Sequence, residues 1–381
     1  MKPSTEPRLS RRVSDLHASA IREVLAVIDR PGMISFAGGL PAMETFPRMG
    51  LNDFPVERLQ YGPSEGDADL REQVALDVQA SGLPCTTDQV VILSGSQQGI
   101  DLVAKLFIDA GTRVAVESPT YLAALQSFRV FGAAFPVFEP DTPGRGWAGA
   151  ERPALAYALA TFQNPTGRCY SRPQRAALAQ ACDEQGVCLF EDDPYRDLAY
   201  EACERTPVCA QLKRASWIYQ GSFSKSLAPG LRLGFLVASQ DLVPLLVRAK
   251  QAADLHSSRI SQWLVLQHLQ AADRTERMAK VVAEYRRRRD LFAAALSRHF
   301  GSSATWQVPC GGLFFWVTLD RRFDSKQLLR DALARGVAFM PGEPFYATPP
   351  PDCRCLRLNF THADEQQTEQ GLSRLAALLK S

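Results

Sequence analysis

Lys225 stands in the run Gly221-Ser222-Phe223-Ser224-Lys225-Ser226, with Arg232 a short way downstream. A primary amine among hydroxyls can form an imine with an aldehyde, while Ser222, Ser224 and Arg232 supply donors and charge for a phosphate. The same residues would also suit a polar surface turn. Three other clusters bear on the choice. In Ser94-Gly95-Ser96-Gln97-Gln98, the apolar run Val90–Leu93 gives way to a helical pattern. The free amides of such a helix start, at Gly95, Ser96 and Gln97, make an anion cradle; on its own this is equally an ordinary serine-capped turn. Asn164-Pro165-Thr166-Gly167 follows an apolar run as a turn with an amide side chain. In Leu189-Phe190-Glu191-Asp192-Asp193-Pro194-Tyr195, a strand-like run ends in carboxylates and an aromatic ring. A carboxylate facing a ring nitrogen would keep it protonated, and such a ring withdraws electrons from a bonded carbon.

These clusters need a frame that brings strand ends together. From about Asp88 to Ala238, short β-rich runs alternate with helical patterns: Val90–Leu93, Val114–Val116, Phe135–Phe138, Leu155–Ala160, Val187–Phe190, Trp217–Tyr219 and Phe235–Ala238. The alternation predicts an α/β fold, with a mostly parallel sheet flanked by helices and ligands at the carboxyl ends of its strands. After Leu242 the pattern shifts to helical stretches over 257–300, then short strands at Leu313–Val317 and Leu356–Phe360, as in a smaller α+β domain. The expected division is an N-terminal arm and helix (1–45, helix over 18–29), a large domain (46–245) and a small domain (246–381). Alternation along Cys355-Leu356-Arg357-Leu358-Asn359 places Arg357 on the face opposite the two leucines.

The order cradle, Asn-Pro-Thr-Gly, Asp-Asp-Pro-Tyr, Ser-x-Ser-Lys and arginine resembles the class I/II, fold-type I aminotransferases, which use pyridoxal 5′-phosphate (PLP). The resemblance runs from Ile34 to Leu379. Ile34-Ser35-Phe36-Ala37-Gly38-Gly39-Leu40-Pro41 and Leu59-Gln60-Tyr61-Gly62-Pro63-Ser64-Glu65-Gly66 are similar to segments of the α-aminoadipate and kynurenine aminotransferase subgroup. It implies that Lys225 holds the cofactor as a Schiff base and then moves the Cα proton. Asp192 would face the pyridine nitrogen, Asn164 and Tyr195 the phenolate oxygen, and Tyr121 would stack on the ring. Arg357 would grip the substrate α-carboxylate, with Gly39 letting backbone approach. Tyr61 would reach the phosphate of a neighbouring subunit, which implies a homodimer with shared active sites. Arg22, on the N-terminal helix, matches a residue of relatives that act on acidic side chains, whereas Phe36, Leu40, Tyr121 and Phe345 suggest an apolar pocket.

The implied activity is transfer of the amino group of an L-amino acid to a 2-oxo acid, 2-oxoglutarate by family habit. A β-lyase or decarboxylase on the same scaffold is the alternative, because reaction choice depends on which Cα bond stands perpendicular to the ring. Transcription regulators with an aminotransferase-like module place a winged helix ahead of it, and about thirty residues before Ile34 are too few for one. Lysine plus arginine number 43 against 41 acids, so no nucleic-acid footprint or membrane partner is expected. Arg286–Arg289 reads as a solvated helix face. Nine cysteines without a CxxC pair and five scattered histidines predict reduced thiols, no metal site and a cytoplasmic protein.

Overall fold

The computed structural model describes residues 10, 12, 30–320 and 324–379. The expected N-terminal helix and Arg22 lie outside the described residues. The chain enters through β1 (Ile34–Ser35) and α1 (Ala68–Ala80). It then alternates through β2 (Val90–Leu93), α2 (Ser96–Phe107), β3 (Val114–Val116), α3 (Leu122–Val130), β4 (Leu155–Ala158), α4 (Arg172–Gln185), β5 (Cys188–Asp192), β6 (Trp217–Ser222) and β7 (Gly234–Ala238). Strands β2 to β7 form one six-stranded sheet in the order β2-β7-β6-β5-β4-β3. Strands β3 to β6 are parallel, and β7 runs antiparallel to both β6 and β2.

The strands are near-continuous apolar runs because helices cover both faces. Alternation sorts their side chains: Val90 and Ile92 enter one core with α1 and α4, while Val91 and Leu93 enter another with α2 and α3. Phe135–Phe138, expected as a strand, makes one isolated bridge to β3 instead, Val137 to Val116. Pro136 has no N–H, so it cannot donate to a ladder.

Helix α5 (Val243–Asp254) spans the expected 245/246 boundary and α6 (Arg259–Gln270) follows it; both pack on the large sheet. Leu246 joins one sheet core, and Val265 and Leu266 join the other. A separate core gathers from α7 (Arg274–Phe300) onward, with β8 (Ala304–Trp306), β9 (Phe314–Leu319), α8 (Ser325–Ala334), β10 (Val337–Ala338), β11 (Met340–Pro341), β12 (Cys355–Asn359) and α9 (Glu365–Leu379). The order β11-β12-β9-β8 makes an antiparallel sheet, and β1 pairs in parallel with β10.

Phe36 is no pocket wall: it is fully buried, edge-on to Phe292 at 5.3 Å. The expected solvated face Arg286–Arg289 holds for the exposed Arg286 and Arg287 but not for Arg288 and Arg289. Arg288 is buried and donates to the Thr361 carbonyl at 2.7 Å, while Arg289 reaches Glu201 and the Pro309 carbonyl. They share the helix side of Tyr285 and Phe292, which faces the core, and buried guanidiniums find carbonyl and carboxylate partners. Among the described residues no helix is long and apolar enough to cross a membrane.

Candidate active site

Because β7 is antiparallel to both neighbours, β2 runs in the same direction as β6, and Leu93, Asp192 and Ser222 end at one sheet edge. There Gly95 caps α2 with φ +84° and ψ 158°, a conformation that side chains rarely adopt. A Cβ on Gly95 would lie 2.7 Å from Arg232 Nη2. Gly234, paired with Ser222, would bring its own Cβ to 3.0 Å from the Ser96 amide. The first amides of α2, Ser222 and Arg232 therefore converge on one spot. Ser222 Oγ accepts the Ser224 N–H at 3.1 Å, leaving its hydroxyl hydrogen to donate, and Ser224 is buried behind it. The Gln97 side chain turns away to donate to Ser127 Oγ at 2.9 Å, so only its backbone serves this spot.

Deeper along the edge, Asp192 is buried and accepts from Tyr157 OH at 2.8 Å and Gln220 Nε2 at 2.9 Å. Burial pushes its carboxyl up to about 6 although both donors pull it down. Among the described residues no cation pairs with it. Asp193 points elsewhere, to Tyr219 and Arg196.

Lys225 Nζ donates to the Gly39 carbonyl at 2.8 Å. Burial, then the charges of Arg357 and Arg232, hold its amine down to about 8. Gly39 is tight: a Cβ there would meet Phe314 at 3.0 Å and Lys225 Nζ at 3.9 Å. Arg357 is buried between the Phe314 ring, 4.2 Å from its centroid, and the Phe345 ring at 4.9 Å. It donates to Asn164 Oδ1 at 2.9 Å and to the Ala37 carbonyl at 2.5 Å, and its Nε is buried without a partner. Asn164 Nδ2 in turn donates to Tyr195 OH at 3.3 Å. Tyr121 opens α3 within electrostatic reach of Asp192, Arg357 and Arg232; burial first, then Asp192, raises its phenol to about 12. Tyr61 stands apart, 76% exposed and edge-on to His256 at 5.8 Å.

Residues 42–375 match the family described as aminotransferase class I and II. The chain belongs to that family. It is 38% identical to the 2-aminoadipate transaminase of Thermus thermophilus over 100% of this chain and 98% of that protein. It is 34% identical to aromatic-amino-acid aminotransferase 1 of Thermococcus litoralis, over 98% and 94%. In structure it superposes on the Thermus thermophilus α-aminoadipate aminotransferase complexed with N-(5′-phosphopyridoxyl)-L-leucine. The TM-score is 0.86 and the identity 36%, with 98% of this chain and 97% of that one covered. This aminotransferase has the fold-type I architecture and is a PLP-dependent transaminase.

The residues present fit that cofactor. A phosphate suits the cradle that a Cβ on Gly95 would obstruct. A protonated ring nitrogen suits the buried, cation-free carboxylate of Asp192, and the aldehyde suits the lowered amine of Lys225. Sequence reasoning missed Tyr157 and Gln220, which hold Asp192, and Phe314 beneath Arg357. Gln220 carried a signal: it is a polar residue inside an apolar strand, in register with Asp192. Tyr157 and Phe314 read as ordinary core aromatics.

Proposed function

We propose that this transaminase takes L-amino acids with large apolar or long side chains as donors and 2-oxoglutarate as acceptor, in two half-reactions at one site. Arg357 carries the reading. Its guanidinium is buried between two phenyl rings, both its hydrogen bonds go to neutral acceptors, and one N–H is unpartnered. Such a fork suits bidentate capture of an α-carboxylate, and the aromatic residues about it, Tyr121, Phe314 and Phe345, suit an apolar flank for the side chain. The donors named for the relatives, 2-aminoadipate and aromatic amino acids, and the leucine adduct fit that flank.

When bound, PLP supplies the electron sink that makes the substrate Cα proton acidic. Asp192, oriented by Tyr157 and Gln220, would stabilise the protonated ring nitrogen. Asn164 Nδ2 and Tyr195 OH would hold the phenolate oxygen, and Tyr121 would support the ring. The α2 amides, Ser222 and Arg232 would hold the phosphate. Lys225 Nζ would hold the aldehyde and then move the substrate Cα proton; its lowered pKa supplies the free base. Gly39, lacking a Cβ, leaves room for the substrate beside Lys225.

The exposed residues Met43, Val56, Leu59 and Tyr61, 65–76% accessible, support a homodimer in which Tyr61 reaches the other subunit's phosphate. Packing supports a division of the chain near 271–273, with α5 and α6 in the large body. Nine free cysteines suit the reducing cytoplasm.

The test is an absorbance scan of PLP-loaded protein against single amino acids without any oxo acid. Conversion to the pyridoxamine form with leucine, 2-aminoadipate or aromatic donors supports the reading. Ammonia or carbon dioxide release without that conversion would make it a lyase or decarboxylase.

A further inference from the structure

Behind the Asn164 turn, three loops bring Cys169, Cys203 and Cys310 together, their sulfurs all within 4.8 Å of one another. Each is half-buried and none forms a disulfide, so small solutes can reach them. Cys169 lies just past Gly167, Cys203 lies between β5 and β6, and Cys310 precedes β9. The loops are tied by backbone: the Tyr200 and Glu201 amides donate to the Cys310 carbonyl at 2.9 and 3.2 Å.

We propose that Cys169, Cys203 and Cys310 form a thiolate site for a soft divalent cation, zinc by its chemistry, with water as the fourth ligand. Zinc–sulfur bonds of about 2.3 Å place the sulfurs of a tetrahedral site about 3.8 Å apart, so the triad closes on an ion with a contraction of an ångström or less. Three thiolates around a dication leave one negative charge. Arg175, fully buried, lies beside it, donating from Nη2 to Cys169 Sγ at 3.6 Å, with Nη1 3.8 Å from the Glu191 carboxyl, whose pKa burial raises. The Glu204 carboxylate is no ligand, since Arg172 and the Thr206 amide hold it.

Without metal, the Cys169 thiol donates to the Glu204 carbonyl at 3.1 Å. Binding forms three metal–sulfur bonds and releases three thiol protons to solvent, and the Glu204 carbonyl keeps its hydrogen bond from Arg175 at 2.9 Å. The ion would clamp the turn carrying Asn164 to the segment entering the small-domain sheet. This site does not depend on the substrate reading above.

The experiment uses the PLP-loaded enzyme, incubated with equimolar zinc and desalted. Zinc is counted by atomic emission, and thiol reactivity by iodoacetamide labelling and peptide mapping. The expected result is about one zinc per chain, with Cys169, Cys203 and Cys310 protected together while Cys355 still reacts as in zinc-free protein. Cys203→Ser should weaken zinc retention by more than about tenfold with the cofactor absorbance unchanged. Should that variant fail to fold, the labelling of the unaltered protein decides. No retained zinc, zinc that leaves the three thiols reactive, or a Cys203→Ser protein that holds zinc as before overturns the site. So does a disulfide joining two of the three in the purified protein.

Discussion

Gly95→Ala should damage the phosphate cradle by a route that can be dissected. The added Cβ would sit 2.7 Å from Arg232 Nη2 and 3.1 Å from its Cζ, at a backbone with φ +84°. Two costs follow, in different observables. Backbone strain of about 1–3 kcal/mol falls on the folded protein with or without cofactor, and urea melts of the apoprotein read it. Displacement of Arg232 removes a charged hydrogen bond of about 1.5–3 kcal/mol to the phosphate. At about 1.4 kcal/mol per decade that is a loss of roughly 10- to 150-fold in PLP affinity, measured by titrating the apoprotein. Because the affinity loss passes through Arg232, Arg232→Ala alone should cost as much, and adding Gly95→Ala to it should cost little more affinity. Fully additive losses, or PLP affinity within twofold of the parent in Gly95→Ala, would refute this.

Lys225→Ala should keep PLP bound without a covalent link to protein and slow turnover by about a hundred- to ten-thousandfold or more; turnover at the parental rate would remove the lysine from the chemistry. Arg357→Ala should weaken amino-acid binding roughly 10- to 150-fold while PLP affinity holds, and equal losses of both would make Arg357 structural. The Lys225 amine, lowered from 10.5 to about 8, is a free base above that pH, so covalent capture of added PLP by the apoprotein should quicken with pH and level off above about 8. Arg357→Gln, lacking one of the charges that lower the amine, should move that inflection upward; an inflection already near 10.5 in the parent protein would refute the assigned environment.

What the sequence made legible was local chemistry at strand ends. Lys225, Asp192, Asn164, Gly95 and Arg232 were expected because short motifs, each ambiguous alone, stand in an order that resembles the aminotransferases, and the alternating pattern brings the motifs to one edge. Arg357 was readable through alternation with Leu356 and Leu358, both in the small-domain core. What stayed hidden depends on partners distant in the chain. Tyr157 serves Asp192 through strand order and register. Arg288 and Arg289 are buried because residues from other segments, Glu44, Glu201, Pro309 and Thr361, close over α7. Phe36 followed the core because Phe292 and Gly371 happen to face it. The cysteine triad has no spacing signal, for its members meet only once two bodies dock.

The position of β2 has a consequence for synthesis of the chain. Strands β3 to β6 can pair one after another as they emerge, but β2 sits at the sheet edge beside β7, with Val90 opposite Val237. At about 5–20 residues per second, that neighbour arrives roughly 7–30 s later on the ribosome. Throughout that interval Val90–Leu93, wholly buried in the finished protein, has an unpaired edge and a wet apolar surface. Nascent chains stalled before Gly234 should therefore be captured by holding chaperones, and chains in which β7 has cleared the exit tunnel should be let go.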